Sequence, residues 1–142
     1  PREPGSEEYK NSEKYEIRDW DLDAYHSLAP FIGRINRIRR ENPALQRTEN
    51  IQFHGCSNDS LLCFSKSTPD RSNVVLVIVN MDFRNAQEGM VEFFPASVGI
   101  PSEPPFGVHD LITDARYQWG SQWNFVRLDP FSYPVHIFRL ER

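Results

Sequence analysis

The sequence is poor in cysteine, with two, Cys56 and Cys63, in 142 residues. A disulfide framework needs more, and neither a CxxC pair nor a Cys/His zinc spacing is present, which excludes a stapled scaffold and a zinc module. Both thiols are expected in or beside strands as small apolar residues, reduced as in a cytoplasmic protein. A hairpin could still bring them together, so a bridge stays open. No apolar run approaches the roughly 20 residues of a membrane helix, and no signal peptide opens the chain. A basic excess is missing too. The net charge is −4, and the whole imbalance sits in residues 1–23, which carry eight acids and four bases against twelve of each in the remainder. Such a chain has no positive field to attract nucleic acid or an anionic membrane. Complete catalytic motifs are absent as well. There is no GxSxG, P-loop or GxGxxG string, and the four histidines, His26, His54, His109 and His136, are dispersed. No catalytic residue, metal ligand or cofactor is expected, and His109 and His136, within strands, read as structural.

What the sequence does have is aromatic residues, 13% of the total, and eleven prolines. That combination points to strands and turns rather than a helix bundle. Residues 1–26 are acidic and aperiodic and are expected to form a long loop, with Tyr9, Tyr15, Ile17, Trp20 and Leu22 packed on something. Residues 28–41 carry a strong helical pattern. Leu28, Phe31, Ile32, Ile35 and Ile38 repeat as one apolar face, while Arg34, Arg37, Arg39 and Arg40 lie on a solvated one. Ser27 is placed to cap the helix, Pro30 to sit harmlessly in its first turn, and Pro43 to end it near Asn42.

From residue 50 the texture changes to short runs separated by Gly, Pro, Asn and Asp. Strands are expected at 51–53, 61–65, 74–80, 90–94, 108–112, 116–119, 124–128 and 135–140, a pattern that fits an antiparallel sandwich or barrel. The aliphatic run 74–79 reads as a central strand buried on both faces. Thr113 and Asp114 read as a tight hairpin turn, and residues 100–106, with Pro101, Pro104 and Pro105, as a loop. One helix cannot close a layer alone, so it is expected to belong to a preceding domain. The chain opens on Pro1 with no methionine before it, as expected of a piece of a longer protein.

Several strings go further. They are residues 1–9 (PREPGSEEY), 12–18 (SEKYEIR), the helix end 35–45 (INRIRRENPAL) and 109–114 (HDLITD). Together these resemble the C-terminal end of the α-1,4-glucan:maltose-1-phosphate maltosyltransferase family, within the α-amylase clan, glycoside hydrolase family 13. The resemblance covers essentially the whole chain. It implies that residues 1–47 are the tail of a catalytic (β/α)8 barrel, namely the loop after its last strand and its last helix. Residues 48–142 would then be a Greek-key-type β-sandwich of the kind that follows the barrel in this clan. It also implies the parent's chemistry, transfer of maltosyl units from α-maltose 1-phosphate to α-1,4-glucan ends with retention, through a carboxylate nucleophile and a second carboxyl as acid and base. Those carboxylates belong to earlier strands, so the fragment is expected to be inactive alone. Lys14 and Tyr15 match the family's Lys-Tyr pair beside the donor sugar and are the candidate substrate contacts. Asp19 departs from the pattern, which has His before the Trp. The missing barrel is the expected partner, and self-association through the helix face is a further expectation. Two other readings compete: a free-standing carbohydrate-binding β-sandwich, and the C-terminal domain of another α-amylase-clan enzyme, a hydrolase or trehalose synthase. The orphan helix with its acidic lead-in speaks against the first.

Overall fold

A computed structural model describes residues 21–100, 105–120 and 122–141, with side chains from residue 30 onward. The chain divides into two units, Pro1–Arg37 and Ile38–Arg142. Helix α1 spans Asp21–Glu41, so it begins well before the expected residue 28 and takes in residues 21–26, expected as loop. The acids Asp21 and Asp23 suit the positive end of a helix dipole, and Leu22 and Ala24 are good helix formers, a signal weaker than the apolar periodicity downstream. Ser27 is therefore inside the helix rather than its cap, and Pro30 is interior, where it removes one rung of the backbone ladder. The arginine face is exposed, as expected. On the apolar face Ile38 is buried but Ile32 is 50% exposed. The helix ends where Pro43 forbids it to continue. Asn42 Nδ2 donates to the Ile38 carbonyl (2.8 Å), and Gln46 Nε2 donates to those of Arg39 and Arg40 (3.1 Å each), so side chains satisfy the terminal carbonyls.

A short 3-10 turn, Pro43–Gln46, leads into eight strands. They are β1 (Ile51–His54), β2 (Leu61–Ser67), β3 (Val74–Asn80), β4 (Gln87–Glu92), β5 (Phe106–Asp110), β6 (Arg116–Trp119), β7 (Trp123–Leu128) and β8 (Val135–Glu141). Every pairing is antiparallel. One sheet has the order β1-β2-β3-β8-β5-β6, and a ribbon of β4 and β7 forms the other. The chain crosses to the ribbon after β3 and again after β6, and β8 returns between β3 and β5, the Greek-key crossing expected of the sandwich.

All eight expected strands are present, with two shifted. β4 starts at Gln87 because the polar Gln87, Glu88 and Gly89 pair with Leu128, Arg127 and Val126. β5 starts at Phe106, paired with Trp119, and ends at Asp110, whose side chain accepts the Ile112 N–H and opens a turn. The expected two-residue hairpin at Thr113 and Asp114 is a wider turn over residues 111–115. It is closed by Asp110 N–H to the Ala115 carbonyl (2.8 Å) and Asp114 N–H to the Asp110 carbonyl (2.7 Å), with Asp114 at φ 67°. Residues 101–104 of the expected loop lie outside the described residues.

The core lies between the sheets. Leu76 and Ile78 of β3 and Phe138 of β8 face Val91, Val126 and Leu128 of the ribbon, all buried. Edge-to-face rings run through it from Phe93 to Phe106 (5.9 Å), Phe106 to Trp119 (6.1 Å) and Trp119 to Phe138 (5.4 Å). Val75 and Val77, on the opposite face of β3, are also buried, so this strand is covered on both sides as its aliphatic run requires. Asn80 is a polar stitch across the sandwich: its Nδ2 donates to the carbonyls of Asn85 and Leu128 (3.0 Å each).

Candidate functional site

Lys14 and Tyr15 lie outside the described residues. Within them, the 109–114 string folds into a corner built on two histidine–aspartate pairs. Strand alternation sends Asp110 to the core face and His109 to the other. Asp110 is 1% exposed, and its Oδ2 meets His136 Nδ1 at 2.9 Å while Oδ1 accepts the Ile112 N–H at 3.0 Å. Burial alone would raise its pKa. The hydrogen bonds from His136 and Ile112 outweigh that and hold the carboxyl below its ordinary value. An ionised Asp110 only accepts, so His136 carries its proton on Nδ1. Its ring stacks on Phe138 at 4.7 Å.

On the other face His109 Nδ1 lies 3.1 Å from Arg139 Nη2, and Nε2 lies 2.6 Å from Asp114 Oδ1. A guanidinium only donates, so Nδ1 is the acceptor and Nε2–H donates to Asp114. Both nitrogens are thus occupied on a ring that is buried. This arrangement orders a turn; it offers neither a poised base nor an open ligand position. Among the described residues no group of three or more His, Cys, Asp or Glu is placed to hold a metal ion.

Cys56 and Cys63 are free thiols. Burial first, then the neighbouring Cys56, pushes the Cys63 thiol up to about 12, which makes it a core residue and not a nucleophile. His54, in β1, meets Ser65 Oγ at 2.7 Å and sets its ring edge-to-face on Phe93 at 5.0 Å, and burial lowers its pKa. A cleft of about 320 Å³ opens beside β1, lined by Arg47, Asn50, Gln52, Ser67 and Arg71 among others. Its cations are committed. Arg47 pairs with Glu49 at 2.9 Å, and Arg71 donates to the carbonyls of Val98, Thr68 and Pro69.

The face of the six-stranded sheet turned away from the ribbon carries an apolar patch over β1, β2, β3 and β8, beside the row that holds Lys66, Arg139 and His109. Phe53, Phe64, Val77 and Ile137 form one cross-strand row, and Leu62, Val79 and Val135 another. Its centre is buried, but at its β1 edge Phe53 is 62% exposed.

A two-sheet antiparallel sandwich that follows a helix in the chain, with no reactive constellation among the described residues, matches a known family. The profile of the family described as "GLGE, C-terminal" matches residues 53–140. The chain belongs to the GLGE C-terminal family. Its relatives are long proteins. The chain is 46% identical over 142 residues to the α-1,4-glucan:maltose-1-phosphate maltosyltransferase of Methylacidiphilum infernorum, covering all of this chain and 21% of that protein. It is 43% identical over 140 residues to the protein of that name from Mycobacterium tuberculosis, covering 96% of this chain and 20% of the relative. The chain therefore spans about a fifth of the length of the curated relatives it matches. Among solved structures it is similar to an Anoxybacillus α-amylase, with a TM-score of 0.55 and 15% identity, covering 80% of this chain and 22% of that one. An α-amylase from Geobacillus thermoleovorans gives a TM-score of 0.51 and 14% identity, covering 74% and 21%. At these identities the likeness concerns the fold. For a GLGE C-terminal domain, the 109–114 string is explained by the turn it orders, and a functional role for it is not required.

Proposed function

We propose that this chain is the C-terminal part of a retaining maltosyltransferase that moves maltosyl units from α-maltose 1-phosphate to the ends of α-1,4-glucans in the cytoplasm. The observation that carries this reading is the family match, with relatives of that name identical at 43–46% across nearly all of the chain. In this reading the nucleophile and the acid/base carboxyl lie in the rest of the protein, and residues 48–142 are a scaffold beside it. The apolar patch on the outer face of β1, β2, β3 and β8 supports such a role, since a row of exposed and half-buried phenylalanines and valines seldom faces water. Its partner is the catalytic barrel. Lys14 and Tyr15 contribute from the barrel's tail to donor binding. A lysine ammonium offers three donors to sugar hydroxyls, and tyrosine offers a hydroxyl and an apolar face. The half-exposed Ile32 on α1 gives the isolated chain a self-association face, which sedimentation across a concentration series reads.

The test is phosphate release from α-maltose 1-phosphate with glycogen as acceptor. The full-length protein turns over and the 142-residue chain does not. Lys14→Ala in the full-length protein removes a charge-assisted hydrogen bond of about 1.5–3 kcal/mol, so kcat/KM for the donor falls roughly ten- to a hundredfold with the melting temperature unchanged. Turnover by the repurified 142-residue chain, or unchanged kinetics in Lys14→Ala, would overturn the corresponding part of the reading.

A further inference from the structure

The β4–β7 ribbon has a second face. Val91, Val126 and Leu128 point into the core and are essentially fully buried, so the strands are held firmly from beneath. Alternation then sends Glu88, Met90 and Glu92 of β4, and Trp123, Phe125 and Arg127 of β7, outward. The register pairs Glu92 with Trp123, Met90 with Phe125 and Glu88 with Arg127. Phe94, in extended backbone just past β4, continues the row. Phe125 is 58% exposed, Phe94 43% and Trp123 39%. At about 3.4 Å per residue the row from Phe94 to Phe125 runs for roughly 14 Å.

Polar groups flank these rings. Gln122 Nε2 donates to Glu92 Oε2 at 3.0 Å, and Arg127 Nε lies 3.5 Å from Glu88 Oε1. The core of a protein–protein interface is depleted in charge, whereas here every ring has a charged or amide neighbour across or along the strand. With two carboxylates and one guanidinium, the face has no excess of positive charge for phosphate or nucleic acid. A neutral chain with C–H faces and hydroxyl edges satisfies both features: its faces lie on the rings, and its edges reach the carboxylates and amide.

We propose that the outer face of the β4–β7 ribbon is a binding platform for an α-1,4-glucan chain. The sugar class rests on the functional reading above; the platform itself rests on the ribbon. Phe125 and Trp123 supply the stacking surface and Glu92, Gln122 and Glu88 the hydroxyl contacts. Such a platform holds a long glucan chain on the protein.

The test uses the 142-residue chain and two probes, native electrophoresis through gels containing amylopectin and amide NMR titration with maltoheptaose. Amylopectin is expected to retard the chain, and maltoheptaose to shift the amides of residues 88–92 and 122–127. Phe125→Ala, at an exposed site where folding is preserved, weakens binding at least tenfold. Met81→Ala, an exposed apolar residue outside the ribbon, leaves it unchanged. No retardation of the native chain, retardation retained in Phe125→Ala, or shifts confined to other strands would overturn the platform. So would self-association that Phe125→Ala abolishes with no glucan effect, which would make the face a contact between copies. The full-length protein with α-maltose 1-phosphate and a short acceptor separates the two readings. Transfer without glucan binding by the 142-residue chain refutes the platform alone, and binding without transfer refutes the maltosyltransferase reading alone.

Discussion

Replacing Asp110 by alanine is expected to be among the most damaging single changes in the sandwich, because of what its carboxylate leaves behind. Oδ1 accepts the buried Ile112 N–H at 3.0 Å and Oδ2 the His136 Nδ1–H at 2.9 Å. A buried donor left unsatisfied costs about 1–3 kcal/mol, and a hydrogen bond to a charged group contributes about 1.5–3. The two losses share one residue and are not fully additive, so about 3–4 kcal/mol is expected for Asp110→Ala. For a domain of this size that lowers the melting temperature by about 10–20 °C. Asp110→Asn keeps an acceptor for Ile112 and faces His136 with an amide, to which the imidazole adapts by moving its proton to Nε2. A neutral hydrogen bond replaces a charged one, and the cost falls to about 1 kcal/mol. The pH dependence gives an independent check. Asp110 titrates below its ordinary 3.8 in the fold, so its contribution is complete above that value and is lost as pH falls through the folded pKa. The gap between Asp110→Asn and the parent at neutral pH should therefore close in acid. Thermal melts of the three proteins from neutral to acid pH decide it. Asp110→Ala melting within about 2 °C of the parent, or a gap to Asp110→Asn that persists in acid, would refute the reasoning.

Gly99 sits at φ 84°, and a Cβ there would lie 2.7 Å from Arg71 Nε, so Gly99→Ala is expected to cost about 2 kcal/mol in a urea melt; a cost below about 0.5 would show that neither the backbone nor Arg71 is constrained. Burial lowers the pKa of His54 below 6.5, so its contribution is full above that value and is lost as pH falls from it through the folded pKa. Stability should drop across that window in the parent and less in His54→Gln; equal slopes would contradict this. A fragment starting at Ile38 is expected to melt cooperatively, while one starting at residue 48 should be weaker by about 2–3 kcal/mol. The shorter fragment loses the bonds of Asn73 to Asn42 (2.9 Å) and Ala44 (3.0 Å) and of Asn50 to Ala44 (3.1 Å); equal stability would show that these ties are idle.

The strands were legible where burial is one-sided or complete. The run 74–79 announced β3 because a strand covered on both faces has no polar position to interrupt it. The start of β4 was hidden because Gln87-Glu88-Gly89 is polar and glycine-containing, and its place in the ladder comes from partners almost forty residues away. β5 was misplaced by two residues for a related reason. Ile112 is apolar and buried, which reads as strand, but Asp110 has already turned the chain. Asp110 and Asn80 fall within expected strands, but their burial does not show in sequence. Each is buried because a carbonyl, N–H or imidazole from another element waits for it, and local pattern carries no trace of that.

The same limit governs the site. Lys14 and Tyr15 came from a resemblance between strings, since a charged residue beside an aromatic one has no periodicity to distinguish a sugar contact from a loop anchor. The ribbon face failed to appear for the opposite reason. Trp123 and Phe125 alternate with Asn124, Val126 and Leu128, so a reader who assigns rings to the core and polar residues to solvent inverts part of the strand. Only the register, with Val126 and Leu128 buried against β3 and β8, shows that the larger rings are the ones turned outward. A strand that gives its small aliphatic residues to the core and its aromatic ones to water departs from what stability alone would choose. That departure, and not the count of aromatic residues, makes the outer face of β4 and β7 a place to look for a ligand.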